Sequence, residues 1–241
     1  MASEHLAKTF DEELKRLHTL ISRMGGLAET QLANAIRAAR ERDSELAAEV
    51  VEADPKVDEL EREVDDLALK VLALRQPMAV DLRAILSALK IASELERIAD
   101  YATNVAKRSI ALNQLPPIRP MHAAPRMAQV VKEMIKDVLD AYVNNDIEQA
   151  VQVWNRDEEL DEMYSSLFRE LLTYMMEDPR NITPATHLLF IAKNIERIGD
   201  HCTNIAETIY FLVKGVALRE ARPKGDATSF TIVKPAAGVT K

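Results

Sequence analysis

The chain has 241 residues with a formal net charge of −8, one cysteine, six glycines and 5% aromatic residues. That length is enough to bury a real core as one large domain or two small ones. The negative charge excludes binding to nucleic acid or anionic lipid through a broad basic face, and the lone Cys202 excludes an internal disulfide framework and suits a reducing compartment.

The N-terminus, Met1-Ala2-Ser3-Glu4-His5, lacks the basic-then-apolar order of a signal peptide, and no apolar run reaches membrane-spanning length. A cytoplasmic chain is expected, with membrane contact only through partners. The first helical run carries Phe10, Leu14, Leu17, Ile21, Met24, Ala28, Leu32, Ala35 and Ala39 at steps of three and four. It contains the Met24-Gly25-Gly26 step, which marks a bend or a close helix contact. The run breaks near Arg42-Asp43-Ser44, where Asp43 suits an N-cap. A second helix follows over about 44–74, with Val50, Val57, Val64 and Val71 one heptad apart and Pro55 imposing a kink or a fresh first turn. After a turn at Gln76-Pro77, the third helix carries Ile85, Ala88, Ala92, Leu95, Ala99, Ala102, Ala106 and Ser109.

Three prolines within Leu115-Pro116-Pro117-Ile118-Arg119-Pro120 mark a linker. Three more helices are predicted over 121–144, 146–177 and 183–218, punctuated by Asn144-Asn145-Asp146 and Asp178-Pro179. From Arg219 the chain is polar and aperiodic, which reads as a flexible tail.

The second half repeats the first. Asp43, Ala47, Val50, Asp54 and Asp58 return 103 positions later as Asp146, Ala150, Val153, Asp157 and Asp161. Ile91-Ala92, Glu96-Arg97-Ile98, Asp100 and Thr103-Asn104 return 100 positions later as Ile191-Ala192, Glu196-Arg197-Ile198, Asp200 and Thr203-Asn204. The seam of the third helix returns as Ala185, Leu188, Ala192, Ile195, Gly199, Cys202, Ala206 and Ile209, and its small residues predict close helix packing. The fold expected is all-α: two tandem three-helix bundles over 1–115 and 121–218, a linker at 116–120 and a tail at 219–241.

The repeated polar residues need a reason beyond packing. Glu96 and Asp100, and Glu196 and Asp200, place two carboxylates one turn apart on a helix face, as do Asp54 with Asp58 and Asp157 with Asp161. If the helices are antiparallel about their turns, Asp58 lies level with Glu96, and Asp54 with Asp100, about a midpoint at position 77. In the second copy Asp161 pairs with Glu196 and Asp157 with Asp200, about 178.5. Two carboxylates about 6 Å apart across a helix pair repel by roughly 3 kcal/mol at an effective dielectric near 20, so several such pairs call for a cation or for protons. Oxygen ligands suit magnesium, calcium, manganese or iron over zinc or copper. Asn104 and Asn204, one turn further on, are candidates for an auxiliary ligand or for orienting a carboxylate. The plainer reading is a solvated acidic face paired with Arg97, Arg197 or Lys193.

The segments Glu94–Ala106 and Asn194–Glu207, with Asp54–Glu59 and Asp157–Glu162 on the preceding helices, resemble the paired signature of the PhoU family. The resemblance runs from residue 5 to about 215. It implies multinuclear metal sites at these carboxylates, most often iron or manganese, with magnesium, calcium or zinc as other occupants. It also implies a negative regulator of phosphate uptake and the phosphate-starvation response, with no catalytic role, bridging the ATPase subunit of the phosphate ABC transporter and a sensor histidine kinase, often as a homodimer. Ala99, where the second copy has Gly199, departs from the pattern without touching the carboxylates.

Two rival readings remain. One is a ferritin-like di-metal carboxylate oxidase, but its Glu-x-x-His motif would need histidine where Ala99 and Gly199 stand. The other is a metal-independent helical scaffold. His201 points about 100° away from Asp200 and suits a surface or partner contact. Cys202 falls on the packed seam, and no phosphate-binding loop or nucleophile elbow is present.

Overall fold

A computed structural model describes residues 2–118 and 122–219, together with residues 222, 225, 228 and 231. These form α1 (Ala2–Glu41), α2 (Ser44–Ala53), α3 (Pro55–Arg75), α4 (Val80–Asn113), α5 (Ala123–Asn144), α6 (Ile147–Asn155), α7 (Asp157–Glu177) and α8 (Ile182–Lys214), with no strand among the described residues. A single 3-10 turn, Pro179–Asn181, joins α7 to α8. Six helical rods therefore make two three-rod repeats, the middle rod of each being broken once.

The break in the first repeat is the one Pro55 calls for: it starts α3 as the first helical residue, where its missing N–H costs nothing. The second repeat breaks at the matching place without proline. There Arg156 takes φ −74° and ψ −10° and its N–H donates to Val153 O, a tighter turn that ends α6. In both copies the next helix begins at the first acidic residue of the repeated pair or directly after it. The ends of α1 and α5 also match. Arg42 and Asn145 adopt left-handed φ of 58° and 52°, and the side chains of Asp43 and Asp146 cap the following helices by accepting from Leu46 N at 2.9 Å and Gln149 N at 3.0 Å. Strain at Arg42 is offset by its guanidinium, which donates to the carbonyls of Asn113 and Leu115 at 2.6 Å each and so closes the C-terminal end of α4. At its own end α8 stops at Lys214, four residues before the 218 expected. Gly215 takes φ 73° there and donates to Phe211 O at 2.8 Å, a glycine stop signal overlooked in the sequence.

The repeats do not stand apart. The third rods, α4 and α8, pack against each other most extensively, α1 lies on α4, α5 lies on α8, and α1 meets α5. Pairings of Glu94 with Asn204, Tyr101 with His201 and Arg108 with Phe190 show that α4 and α8 run antiparallel about a pseudo-twofold axis. One continuous core results, from Leu17 and Ile21 through Leu95 and Ile98 to Ile195 and Ile209. Arg119 and Pro120 of the expected linker, and most of the expected tail, lie outside the described residues.

Small residues set the approach of the rods. A Cβ on Gly25 would meet the Leu139 side chain of α5 at 2.5 Å, so Gly25 sits at a close contact between repeats, while a Cβ on Gly26 would meet nothing within 4 Å. A Cβ on Gly199 would meet Leu160 Cδ2. At the corresponding places the first repeat has Ala99 and Val57, both buried, so volume lost from one rod is gained by its neighbour. Gly199→Ala is expected to destabilise the fold by about 1–3 kcal/mol through overpacking. Leu160→Val in the same chain should restore most of that loss in urea denaturation; a double variant no more stable than Gly199→Ala alone would contradict this packing account.

Candidate functional site

The rod breaks and the small-residue seam bring the repeated carboxylates into two clusters. In the first, Asp54 and Asp58 from the start of α3 face Glu96 and Asp100 of α4. The Thr103 hydroxyl donates to Asp54 Oδ1 at 3.0 Å, which locks α3 and α4 in register at this level. Desolvation is the largest influence on Asp54 and raises its pKa. The Thr103 hydrogen bond opposes it, and the charges of Asp100 and Asp58 add to it. Glu96 is pushed up to about 7, first by burial and then by the charges of Asp100 and Glu61. Arg97 reaches Glu96 only at 3.8 Å from an exposed position.

Glu61 belongs to this cluster and sequence reasoning missed it. It lies one turn beyond Asp58 on α3, and its pKa is raised by burial and by the charges of Asp65 and Asp58. Its repeat partner is Tyr164, so a search for carboxylates present in both copies passes over it. Spacing from Asp58 was the signal that could have found it.

The second cluster is more deeply buried, with Asp157 at 1%, Asp161 at 2% and Glu196 at 4% exposure. Glu196 is also pushed up to about 7, by burial first and by Asp200 and Asp161, against the opposing effect of Lys193. Lys193 Nζ lies 2.7 Å from Glu196 Oε1 and 4.7 Å from the centre of the Tyr164 ring, while Glu196 Oε2 is buried with no hydrogen-bond partner. Thr203, the counterpart of Thr103, turns its hydroxyl to the carbonyl of Asp200 at 2.7 Å. Arg222 takes the corresponding place on Asp157: its Nε donates to Oδ2 at 2.9 Å, and its Nη2 lies 2.8 Å from Oδ1 at an angle that makes an ion pair only. This arginine sits in the stretch read as a flexible tail and was not anticipated.

Neither asparagine joins the carboxylates. Asn204 donates its amide to Glu94 Oε2 at 3.0 Å across the α4–α8 contact, and Asn104 is exposed on α4. His201 also turns to Glu94, with Nδ1 at 2.5 Å, and packs its ring against Tyr101 in a tilted contact. Arg197 lies over the same Tyr101 ring, away from the carboxylates. Cys202 is fully buried, and burial raises its thiol pKa, as expected of a packed residue.

Among the described residues no three His, Cys, Asp or Glu side chains form a ready-made cation cage. The donor set still fits a hard cation. It consists of carboxylate oxygens, among which burial first and neighbouring carboxylates second raise Glu96 and Glu196, and it includes the unpartnered buried oxygen of Glu196.

These shifts fix a sign. The folded chain holds protons on Glu96 and Glu196 up to about pH 7, whereas the unfolded chain loses them near 4.5. Their contribution to stability is complete below 4.5 and falls as pH rises to about 7. Melting of the metal-free protein across that window should decline more steeply than for the Glu96→Gln, Glu196→Gln double variant. Parallel profiles would contradict the raised pKa values.

A family model described as PhoU domain matches residues 21–109 and 124–209. The chain is 50% identical over 228 residues to the phosphate-specific transport system accessory protein PhoU homolog of Caulobacter vibrioides, covering 94% of this chain and 99% of that protein. It is 50% identical over 230 residues to the protein of the same description from Rhizobium meliloti, covering 95% of this chain and 97% of that protein. The crystal structure of PhoU from Pseudomonas aeruginosa superposes with a TM-score of 0.83 at 39% identity, covering 86% of this chain and 100% of that one.

Proposed function

The chain belongs to the PhoU family, and from that premise we propose that it is a metal-binding negative regulator of phosphate uptake and of the phosphate-starvation response. The regulatory part is supported by the relatives' description as accessory proteins of a phosphate-specific transport system. The metal part is carried by one observation, the duplicated carboxylate clusters that hold Glu96 and Glu196 near 7. Asp54, Asp58, Glu96 and Asp100 would hold one centre and Asp157, Asp161, Glu196 and Asp200 the other, with Glu61 added to the first. A bound metal would supply the positive charge that lets these side chains stay ionised together. Iron or manganese is the occupant we favour.

The chain's own residues do the rest. Thr103 orients Asp54, and the α4–α8 seam holds the two clusters at a fixed separation. Breaks before α3 and α7 place an acidic residue where each middle rod is jointed. Metal occupancy would set the angle of that joint, a structural change that a partner can read. The role is non-catalytic. The partners we propose are the ATPase subunit of the phosphate importer and a sensor histidine kinase, bound by a cytoplasmic homodimer that meets the membrane only through them. No described helix is long and apolar enough to cross a membrane.

A metal-independent scaffold is favoured by a specific observation, that Lys193 and Arg222 already lie against the second cluster. Manganese titration followed by the electron paramagnetic resonance of free Mn²⁺ separates the readings. Glu96→Gln with Asp100→Asn should weaken uptake by the first cluster at least tenfold, about 1.4 kcal/mol. The same substitutions should derepress phosphate-starvation reporters in cells growing in ample phosphate. Normal repression by a variant in which all eight predicted carboxylates are amidated would favour the scaffold.

A further inference from the structure

The two clusters differ in charge although they derive from one repeat. The first gathers Asp54, Asp58, Glu61, Glu96 and Asp100, and among the described residues no lysine or arginine ion-pairs with Asp54, Asp58 or Asp100. The second replaces Glu61 by Tyr164 and gains Lys193, whose counterpart in the first repeat is Ser93.

It gains the C-terminal segment as well. Besides its contacts to Asp157, Arg222 donates from Nη2 to Asp200 Oδ1 at 2.7 Å, so a single guanidinium bridges α7 and α8. Three residues on, the Gly225 N–H donates to Asp161 Oδ2 at 2.9 Å. Three of the four acidic residues of the cluster thus receive a donor from the tail. The seat is fitted to glycine: a Cβ at 225 would lie 3.1 Å from Glu158 O and 3.3 Å from both Asp161 Cβ and Glu162 Cγ. Arg222 is itself only 16% exposed. Its reach is feasible. Asp200 lies about 21 Å back along α8 from Lys214 at 1.5 Å per residue, and the seven steps from Gly215 to Arg222 span at most about 25 Å.

We propose that the C-terminal segment is a built-in ligand of the second cluster, with Arg222 as a tethered cation that competes with metal ions for Asp157 and Asp200. Among the described residues the first cluster has no such competitor, so it loads metal first. Loading the second expels the tail, which turns cation occupancy into release of a C-terminal peptide. A tethered group acts at a high effective concentration, so a soluble metal must bind well to displace it. The competition rests on the metal reading above; the tail contact does not.

Two readouts on the full chain test it. In metal-free protein, amide exchange at Gly225 should be at least tenfold slower than in Arg222→Gln, and adding Mn²⁺ should accelerate it. With the first cluster disabled by Glu96→Gln and Asp100→Asn, Mn²⁺ should bind at least fivefold more tightly once Arg222→Gln is added. Gly225→Val, which blocks the seat and keeps the charge, should act in the same direction. Equal Gly225 exchange with and without Arg222 would overturn the tail contact, even if Mn²⁺ binds normally. Unchanged or weaker Mn²⁺ binding in Arg222→Gln would overturn the competition. Slow Gly225 exchange with no Mn²⁺ bound at either cluster would instead overturn the metal reading, and the competition with it.

Discussion

Like charges held where water cannot fully screen them are the constraint on which this molecule turns. Asp54, Asp58, Glu61, Glu96 and Asp100 are each half-buried on facing rods, and each of the three with a raised pKa feels the charge of at least one of the others. An exposed acidic face would relax by turning its side chains into solvent. Here the small-residue seam and the Thr103–Asp54 hydrogen bond hold the rods close, and burial first, with repulsion added, raises the affinity of Asp54, Glu61 and Glu96 for protons. The joints before α3 and α7 fall at matching places in the two repeats, at the residues that carry the charges.

Duplication explains why there are two clusters, and divergence explains why they are unlike. In the first, among the described residues, Arg97 sits at the edge and Lys107 acts only at a distance. In the second, Lys193 and Arg222 supply positive charge from within the chain. The difference traces to a few positions, Glu61 against Tyr164, Ser93 against Lys193, and to Arg222 and Gly225, which lie against the second cluster. If the proposed cation sites are occupied, one receptive and one guarded site would respond in two stages where equivalent sites would respond in one.

Much of the scaffold was legible because helical periodicity and the repeat offset are local and redundant. Asp43 announced its cap, which Asp146 repeats in the second copy, and Pro55 announced the first joint. The second joint, at Arg156, carries no such residue and was hidden. That Asp100 acts electrostatically on Asp54, and Asp58 on Glu96, agrees with their distances to the turn, since antiparallel helices share a rise per residue. What repetition could not supply was anything present in one copy only. Glu61 and Arg222 fell into that class, one masked by a tyrosine partner and the other lying in an aperiodic segment. The asparagines misled for the opposite reason: they repeat, but Asn204 serves the contact between repeats through Glu94.

The central claim is that acidic residues on facing rods converge tightly enough to need positive charge between them. Anomalous diffraction from crystals grown with Mn²⁺ tests it most directly. The account requires a peak between α3 and α4, bounded by Asp58, Glu96 and Asp100, at concentrations too low to fill the second cluster. Density showing those carboxylates turned outward and hydrated, with no anomalous signal at saturating Mn²⁺, would contradict it.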